Sequence, residues 1–228
     1  MTLDGFFAEN RKVALAFSGG VDSAYLLYAA MKAGADVCAY YVRTVFQPQF
    51  ELEDAIRLAR ELSARFRIID ADVLSSSAVS SNPPDRCYHC KAIIMGAISR
   101  AASEDGYPVI IDGTNASDDI SDRPGVRALR EYGIRSPLRE CAIGKEEIRR
   151  MSMEAGLFTW DKPAYACLAT RIPTGEKIDA EKLRITEEAE DFLRSIGFSD
   201  FRVRMLDGKA RIQLQSGQFP LMIENREK

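Results

Sequence analysis

The chain has 228 residues, 46% of them hydrophobic, and a formal net charge of −3. This apolar content is enough for a packed core, and the small negative charge makes nucleic-acid binding through overall charge unexpected. No apolar run reaches about 18 residues and no signal-peptide pattern opens the chain, so we expect no membrane span and a cytoplasmic location. In a reducing compartment, the five cysteines are more typical of core positions, metal ligands or reactive thiols than of disulfides.

Strand and helix patterns alternate along the first two thirds of the chain. Short apolar runs predict strands at 12–17, 36–42, 65–70 and 107–115. Apolar residues at helical spacing predict helices at 21–34, 50–64, 85–106 and 144–156. This alternation predicts an α/β fold, in which a parallel sheet is covered by helices on both faces.

The pattern changes at about residue 176. DAEKLRITEEAEDFLRSIG predicts a charged amphipathic helix, and FRVRML and ARIQLQ predict two strands joined by a turn. We therefore expect a main domain over 1–175 and a small α+β appendage over 176–228. A helix and two strands are too little for an independent core.

The stretch SGGVDS lies between the first predicted strand and helix, where backbone N–H groups and the helix dipole can attract an anion. Gly19 and Gly20 let the backbone approach a ligand closely, and Ser18 and Ser23 add hydroxyl donors. A tight turn without a ligand is the alternative, and the Walker pattern GxxxxGK[ST] is absent. The order of strand, glycine pair, aspartate, serine and helix favours a phosphate site.

The stretch DGTNASDD, residues 112–119, follows the fourth predicted strand. The carboxyl ends of parallel strands form one crevice, so this stretch is expected to face the SGG loop. Asp118 and Asp119 could bind Mg²⁺ or a ribose, or could be solvated turn residues. Asp119 is the predicted magnesium ligand.

Three cysteines are candidate metal ligands. Cys87 and Cys90 form a CxxC at the start of a predicted helix, although both could also face a core. A four-ligand zinc site is hard to assemble, because the chain has one histidine and no second CxxC. If the fold brings Cys167 over that helix start, three thiolates with an open position suit an iron–sulfur cluster. Cys38, in an apolar strand, is predicted to be a core residue.

SGGVDS resembles the PP-loop of the ATP pyrophosphatases. The resemblance implies that ATP is cleaved between its α and β phosphates with Mg²⁺, that the loop holds pyrophosphate, and that Asp22 takes part in binding and catalysis. DGTN resembles a motif of several synthetases of this superfamily, which implies that Thr114 and Asn115 contact ATP.

Four separated motifs, SGGVDS, RCYHCK, DGTNASDDISDRPGVRAL and CLATRIPTGE, resemble the LarE family over residues 12 to about 212. These ATP-dependent sulfur transferases, the pyridinium-3,5-bisthiocarboxylic acid mononucleotide synthases, help to assemble the nickel-pincer cofactor of lactate racemase. The resemblance implies that ATP adenylates a carboxylate of pyridinium-3,5-biscarboxylic acid mononucleotide, and that sulfur then replaces AMP.

The family has two variants, which differ in the sulfur donor. In one, the cysteine of the CLA(S/T)R motif gives up its own sulfur and becomes dehydroalanine. In the other, the CxxC and that cysteine bind a [4Fe-4S] cluster whose extra sulfide is donated. Cys87, Cys90 and Cys167 are all present, so the cluster variant is the better match and Cys167 is interpreted as a cluster ligand, or failing that as the sacrificial donor. The source of the sulfide is not indicated.

Several arginines are candidate phosphate ligands. Arg171 could clamp a phosphate or adenylate, or could form a surface salt bridge. Arg123 could bind the phosphate of the substrate. The arginines of the C-terminal strands could do so too, although strand arginines are more often only solvent-facing: Arg202, Arg204 and Arg211.

The predicted partner is a small pyridinium mononucleotide, and we also expect a homo-oligomer. LarE-like chains usually continue for some tens of residues beyond the last strand motif, so the end at Lys228 predicts a shortened small domain.

Three other functions remain as alternatives. A tRNA-thiolating PP-loop enzyme would normally carry a basic RNA-binding appendage, which the acidic balance and small C-terminal region do not favour. An ammonia-using synthetase needs no CxxC. A nucleotide sensor without turnover would leave the paired aspartates and three cysteines unexplained.

Overall fold

The main sheet has four parallel strands. In this computed structural model, which describes residues 1–119, 124–206 and 208–227, they are β1 (Lys12–Ala16), β2 (Asp36–Arg43), β3 (Arg65–Asp70) and β4 (Val109–Asp112). Their order is β3-β2-β1-β4, and Ala14 of β1 pairs with Cys38 on one side and Ile110 on the other. Both neighbours of β1 are parallel to it, so the carboxyl ends of the strands meet at one edge.

Helices connect and cover these strands, and the four helices predicted at 21–34, 50–64, 85–106 and 144–156 begin and end close to the predicted positions. In the first two thirds of the chain the helices are α1 (Leu3–Glu9), α2 (Val21–Lys32), α3 (Gln49–Glu61), α4 (Ser77–Ser80), α5 (Arg86–Glu104), α6 (Pro124–Glu131), α7 (Pro137–Glu140) and α8 (Lys145–Glu154). Two 3₁₀ turns follow, Phe158–Asp161 and Leu168–Arg171. None of the helices in the described ranges is long and apolar enough to cross a membrane.

Alternate residues of each strand enter different cores, as the two-residue period of a strand requires. Val13 and Leu15 pack with α1, α2 and α3 on one face of the sheet. Ala14 and Cys38 pack with α5 and α6 on the other face, so the prediction of Cys38 as a core residue is confirmed. Helices therefore cover both faces of a parallel sheet, which confirms the predicted α/β fold.

The C-terminal segment forms a second, two-stranded sheet. It contains α9 (Ala180–Ser195), β5 (Arg202–Leu206), β6 (Lys209–Gln213), a 3₁₀ turn (Ser216–Gln218) and α10 (Phe219–Glu224). β5 and β6 pair antiparallel, with Arg204 opposite Arg211. Leu183 of α9 packs in the same cluster as Leu168, so the segment contacts the chain around Cys167. The boundary between 175 and 176 stays a prediction.

Candidate active site

A crevice of about 460 Å³ opens at the carboxyl ends of the strands. Its volume is within the usual range for small-molecule sites. Its walls come from the SGG loop, the end of β4, α5 and the irregular segment 162–167. Ser18, Asp22, Thr114 and Cys167 all line it. The two stretches predicted to share a crevice therefore do so, and Cys167 lies in the same space.

The SGG loop leaves the first turn of α2 open to a ligand. Gly20 is the N-cap of α2, and as a glycine it has no side chain to accept hydrogen bonds from the first turn of the helix. The Ser23 hydroxyl donates to the Gly20 carbonyl at 3.2 Å and lies 3.1 Å from the Ser18 hydroxyl. Gly19 has φ +73°, and a Cβ there would lie 3.2 Å from the Cβ of Ala55. Glycine is thus required at position 19 to form this turn, and a turn of this kind at a helix N-terminus suits an anion.

Asp22 connects three separate parts of the crevice. One carboxylate oxygen accepts a hydrogen bond from the Asn115 amide at 3.3 Å, and the other pairs with the Lys145 ammonium group. Lys145 was not predicted as a site residue. It is the first residue of α8, where a positive charge is unfavourable because it opposes the helix dipole. This unfavourable placement is the sequence signal that could have marked Lys145 as a site residue.

The DGTN stretch packs directly against the SGG loop. A Cβ on Gly113 would lie 2.9 Å from the backbone nitrogen of Ser23, so the close approach requires a glycine. Asp112 is buried and accepts hydrogen bonds from the Thr114 hydroxyl at 2.6 Å and the Ser136 hydroxyl at 2.7 Å. Thr114 lines the crevice, whereas Asn115 is fully buried and contacts Asp22.

The paired aspartates follow immediately. The Asp118 carboxylate accepts the backbone N–H of Asn115 at 2.9 Å, a turn contact, and Asp118 also lines the crevice. Asp119 is the next residue and is exposed, and its magnesium role stays a prediction. Arg123, a predicted phosphate ligand, lies outside the described residues.

The start of α5 and the segment around Cys167 come together. Cys90 and Cys167 both pack against the cluster that contains Phe46 and Leu168, and the Leu168 N–H donates to the Phe46 carbonyl at 2.8 Å. Burial raises the pKa of Cys90 to about 12, and the nearby Cys167 and Cys87 thiols contribute in the same direction. The expectation that segment 160–175 approaches the CxxC is met.

The exposure of the three thiols differs. Cys87 is exposed, whereas Cys90 and Cys167 are partly buried. Within 1–119, 124–206 and 208–227, no three His, Cys, Asp or Glu side chains are grouped closely enough to hold a metal ion. Arg86, which was not predicted as a site residue, is buried and donates from Nη1 to the Cys167 sulfur at 3.8 Å.

Arg171 does not have the placement predicted for a phosphate clamp. Its side chain is 1% exposed and donates to the Glu190 carboxylate at 2.7 and 3.1 Å and to the Ala166 carbonyl at 2.8 Å. Burial alone would raise the pKa of Glu190, but hydrogen bonds from Arg171, Tyr165 and the Val203 N–H lower it. Arg171 therefore joins segment 162–167 to α9, and its guanidinium is occupied by protein groups.

The strand arginines also contact this segment. Arg202 donates to the Ala164 carbonyl at 2.8 Å, and Arg204 donates to the Thr170 carbonyl at 2.7 Å. Arg211, opposite Arg204, is exposed on β6. Two of the three strand arginines thus position the Cys167 segment through its backbone.

Several further charged residues in the crevice were not predicted. They are Glu51, Lys91, Arg149 and Lys162. Burial raises the pKa of Glu51 to about 7, although the Lys162 ammonium opposes the shift. Arg149 donates to the Lys162 carbonyl at 2.8 Å. Lys91, Arg149 and Lys162 therefore add positive charge to the crevice lining, which suits a polyanionic ligand.

Comparisons with known proteins give one family model and several full-length relatives. Residues 12–85 match the model "Queuosine biosynthesis protein QueC". The pyridinium-3,5-bisthiocarboxylic acid mononucleotide synthase of Lactiplantibacillus plantarum is 33% identical over 93% of this chain and 78% of its own length. An uncharacterized protein of Synechocystis sp. is 37% identical over 96% of this chain and 82% of its own. One of Methanocaldococcus jannaschii is 31% identical over 96% and 84%.

Proposed function

Because the chain belongs to the LarE family of pyridinium-3,5-bisthiocarboxylic acid mononucleotide synthases, we propose that its acceptor is a carboxylate of pyridinium-3,5-biscarboxylic acid mononucleotide. The chain is an ATP-dependent sulfurtransferase. The proposal extends this activity to a named acceptor and to two consecutive steps within one crevice.

In the first step, a carboxylate oxygen of the acceptor attacks the α-phosphorus of ATP, and the bond to the β-phosphate breaks. The products are an acyl adenylate and pyrophosphate. In the second step, hydrosulfide attacks the acyl carbon and AMP leaves, which gives a thiocarboxylate, AMP and one proton. Adenylation is needed because a carboxylate oxygen is a poor leaving group, whereas AMP is a good one.

One observation carries this proposal: the open N-terminus of α2 and Cys167 line the same crevice. The pyrophosphate is proposed to lie on the SGG loop, where N–H groups and the helix dipole stabilise negative charge. Lys145, beside Asp22, is positioned to neutralise phosphate charge. Mg²⁺ is proposed to bind near Asp22 and Asp119.

The sulfur donor is proposed to be a [4Fe-4S] cluster held by Cys87, Cys90 and Cys167. The residue types suit such a group in ligand chemistry and charge, because thiolates are its usual ligands and the buried guanidinium of Arg86 needs an anionic neighbour, whereas the three thiols as described are not grouped closely enough to hold a single metal ion. When bound, the cluster would supply an inorganic sulfide on its iron that lacks a cysteine ligand. Cys167 lines the crevice. This placement suits Cys167 both as a cluster ligand and as a sacrificial sulfur donor.

The test is an anaerobic reaction with ATP, Mg²⁺ and sulfide, followed by mass spectrometry of the acceptor. The proposal expects replacement of oxygen by sulfur in the pyridinium biscarboxylate mononucleotide, with one AMP and one pyrophosphate per sulfur. Thiolation of tRNA instead would overturn the acceptor. Dehydroalanine at position 167 after one turnover, without iron in the protein, would overturn the cluster and identify Cys167 as the donor.

A further inference from the structure

Arg86 is buried beside the three cysteines, and no carboxylate among the described residues pairs with it. It is the first residue of α5, directly before Cys87, and it is only 7% exposed. Its Nη1 donates to the Cys167 sulfur at 3.8 Å, and its guanidinium lies 5.6 Å from the centre of the Phe46 ring. Its Nε atom is buried and has no hydrogen-bond partner in the described part of the chain.

This arrangement is energetically unfavourable for the protein alone. A buried cation without an anion loses its hydration, and an unpaired N–H adds a further penalty. A cation at the start of a helix also opposes the dipole. The Phe46 ring offers only partial compensation, since a cation–π contact is weaker than a buried ion pair. Such strain at a site is typical of a group that awaits a ligand of opposite charge.

The surroundings of Arg86 indicate what kind of ligand this is. Within the described residues, the side-chain hydrogen bond of Arg86 goes to a sulfur atom, and that residue, Cys167, lines the crevice into which the SGG loop opens. Arg86 and Lys91 are both cations that act on the buried Cys90, and Lys91 lines the crevice too. Arg86 therefore presents positive charge directly beside Cys167, and Lys91 adds a second cation to the lining of the same crevice, which suits a small sulfur anion.

We propose that Arg86 is the positioning residue for the sulfur anion that is transferred. Its guanidinium binds the anionic sulfur next to Cys167 and holds it on the crevice side, where the acyl adenylate forms. This inference rests on the proposed function and assigns Arg86 a role in the second step, sulfur transfer, alone. The adenylation half does not involve Arg86.

The experiment uses three variants of the full chain. Arg86→Met removes the charge and keeps most of the volume, and Arg86→Lys keeps the charge but loses the forked donors. Arg100→Met is the matched control, because Arg100 is an exposed arginine on the same helix. Each protein is measured in four ways: thermal unfolding of the metal-free form, ATP–pyrophosphate exchange with the acceptor, rate against sulfide concentration, and iron and acid-labile sulfide after anaerobic reconstitution.

For Arg86→Met we expect a metal-free protein that unfolds at the wild-type temperature or above, because an unpaired buried cation has been replaced by an apolar side chain. Pyrophosphate exchange should stay at the wild-type level. The kcat/KM for sulfide should fall at least about tenfold, the loss expected for a hydrogen bond to a charged group. Acid-labile sulfide should fall relative to iron. Arg86→Lys should recover part of the sulfide affinity, and Arg100→Met should match wild type.

Two results would overturn the inference. One is wild-type sulfide dependence and sulfide content in a folded Arg86→Met protein. The other is a large fall in its unfolding temperature with equal losses in exchange and sulfur transfer, which would give Arg86 a purely structural role. Failure of the proposed function is distinguishable, because the wild-type protein itself would then show no acceptor-dependent exchange.

Discussion

The two halves of the crevice are held in place in different ways. The SGG loop is positioned by its own backbone, between β1 and α2, with glycines at the close contacts. The segment 162–170 has little regular structure, and its carbonyl groups accept hydrogen bonds from arginines of several elements: Arg149, Arg171, Arg202 and Arg204. The SGG loop, the proposed phosphate half of the crevice, is therefore a local structure. The segment 162–170, the proposed sulfur half, instead depends on distant side chains.

We expect the largest effect from breaking the buried ion pair between Arg171 and Glu190. Arg171→Met leaves an unpaired buried carboxylate, so the free energy of unfolding should fall by about 3–5 kcal/mol. Chemical denaturation measures this loss. Arg184→Met is the control, because its ion pairs on α9 are exposed and should contribute less than about 1 kcal/mol. Equal effects of the two substitutions would show that the buried pair does not hold the segment.

Gly113→Ala tests the phosphate half. The new Cβ would lie 2.9 Å from the Ser23 nitrogen, so α2 and the DGTN stretch must separate at an expected cost of about 1–3 kcal/mol. ATP–pyrophosphate exchange should slow correspondingly. Gly217→Ala, where nothing lies within 4 Å of the new Cβ, should have no such effect. Normal exchange in Gly113→Ala would mean that ATP does not use this contact.

Glu51, which lines the crevice, allows a test through the pH dependence of stability. Burial raises its pKa from 4.5 to about 7 in the folded protein, so the folded state favours the protonated form. This contribution to stability is complete below pH 4.5 and is lost as the pH rises through about 7. Relative to Glu51→Gln, the wild-type protein should lose about 3 kcal/mol over that window. Parallel stability curves for the two proteins would contradict the burial of this carboxyl.

The smallest effect is expected from Arg204, opposite Arg211 on the C-terminal hairpin. Arg204→Met removes one hydrogen bond to the Thr170 carbonyl and should slow sulfur transfer about two- to tenfold without changing pyrophosphate exchange. Arg211→Met is the matched control and should be silent. If Arg211→Met instead raises the KM for the acceptor, the hairpin binds the phosphate of the substrate.

The same contrast explains how far the sequence could predict the site. The SGG loop was predictable because strand, glycines and helix are adjacent in the chain and their geometry is local. Lys145 was missed because it meets Asp22 across 123 residues, and no local pattern reports that distance. Four strands and four of the helices around them were predictable from periodicity, since their burial follows from apolar spacing.

The sulfur half was predictable only in part. The three cysteines could be singled out by residue type, but the burial of Arg86 beside them could not. The prediction of Arg171 as a phosphate clamp was wrong because its carboxylate partner lies on α9, in the C-terminal segment. Its position in the CLATR stretch after Cys167 did not reveal that this arginine faces the protein interior.

The most direct test of a shared crevice with separable halves is a Cys167→Ala protein given ATP, Mg²⁺, sulfide and the acceptor. ATP–pyrophosphate exchange should remain within about threefold of wild type, because Cys167 takes no part in the hydrogen bonds of Ser18, Gly20 and Ser23 that form the SGG loop. Thiocarboxylate formation should be abolished. Cys141→Ala, a half-buried cysteine outside the crevice lining, should retain both activities. Thiocarboxylate formation at the wild-type rate in Cys167→Ala would contradict the account.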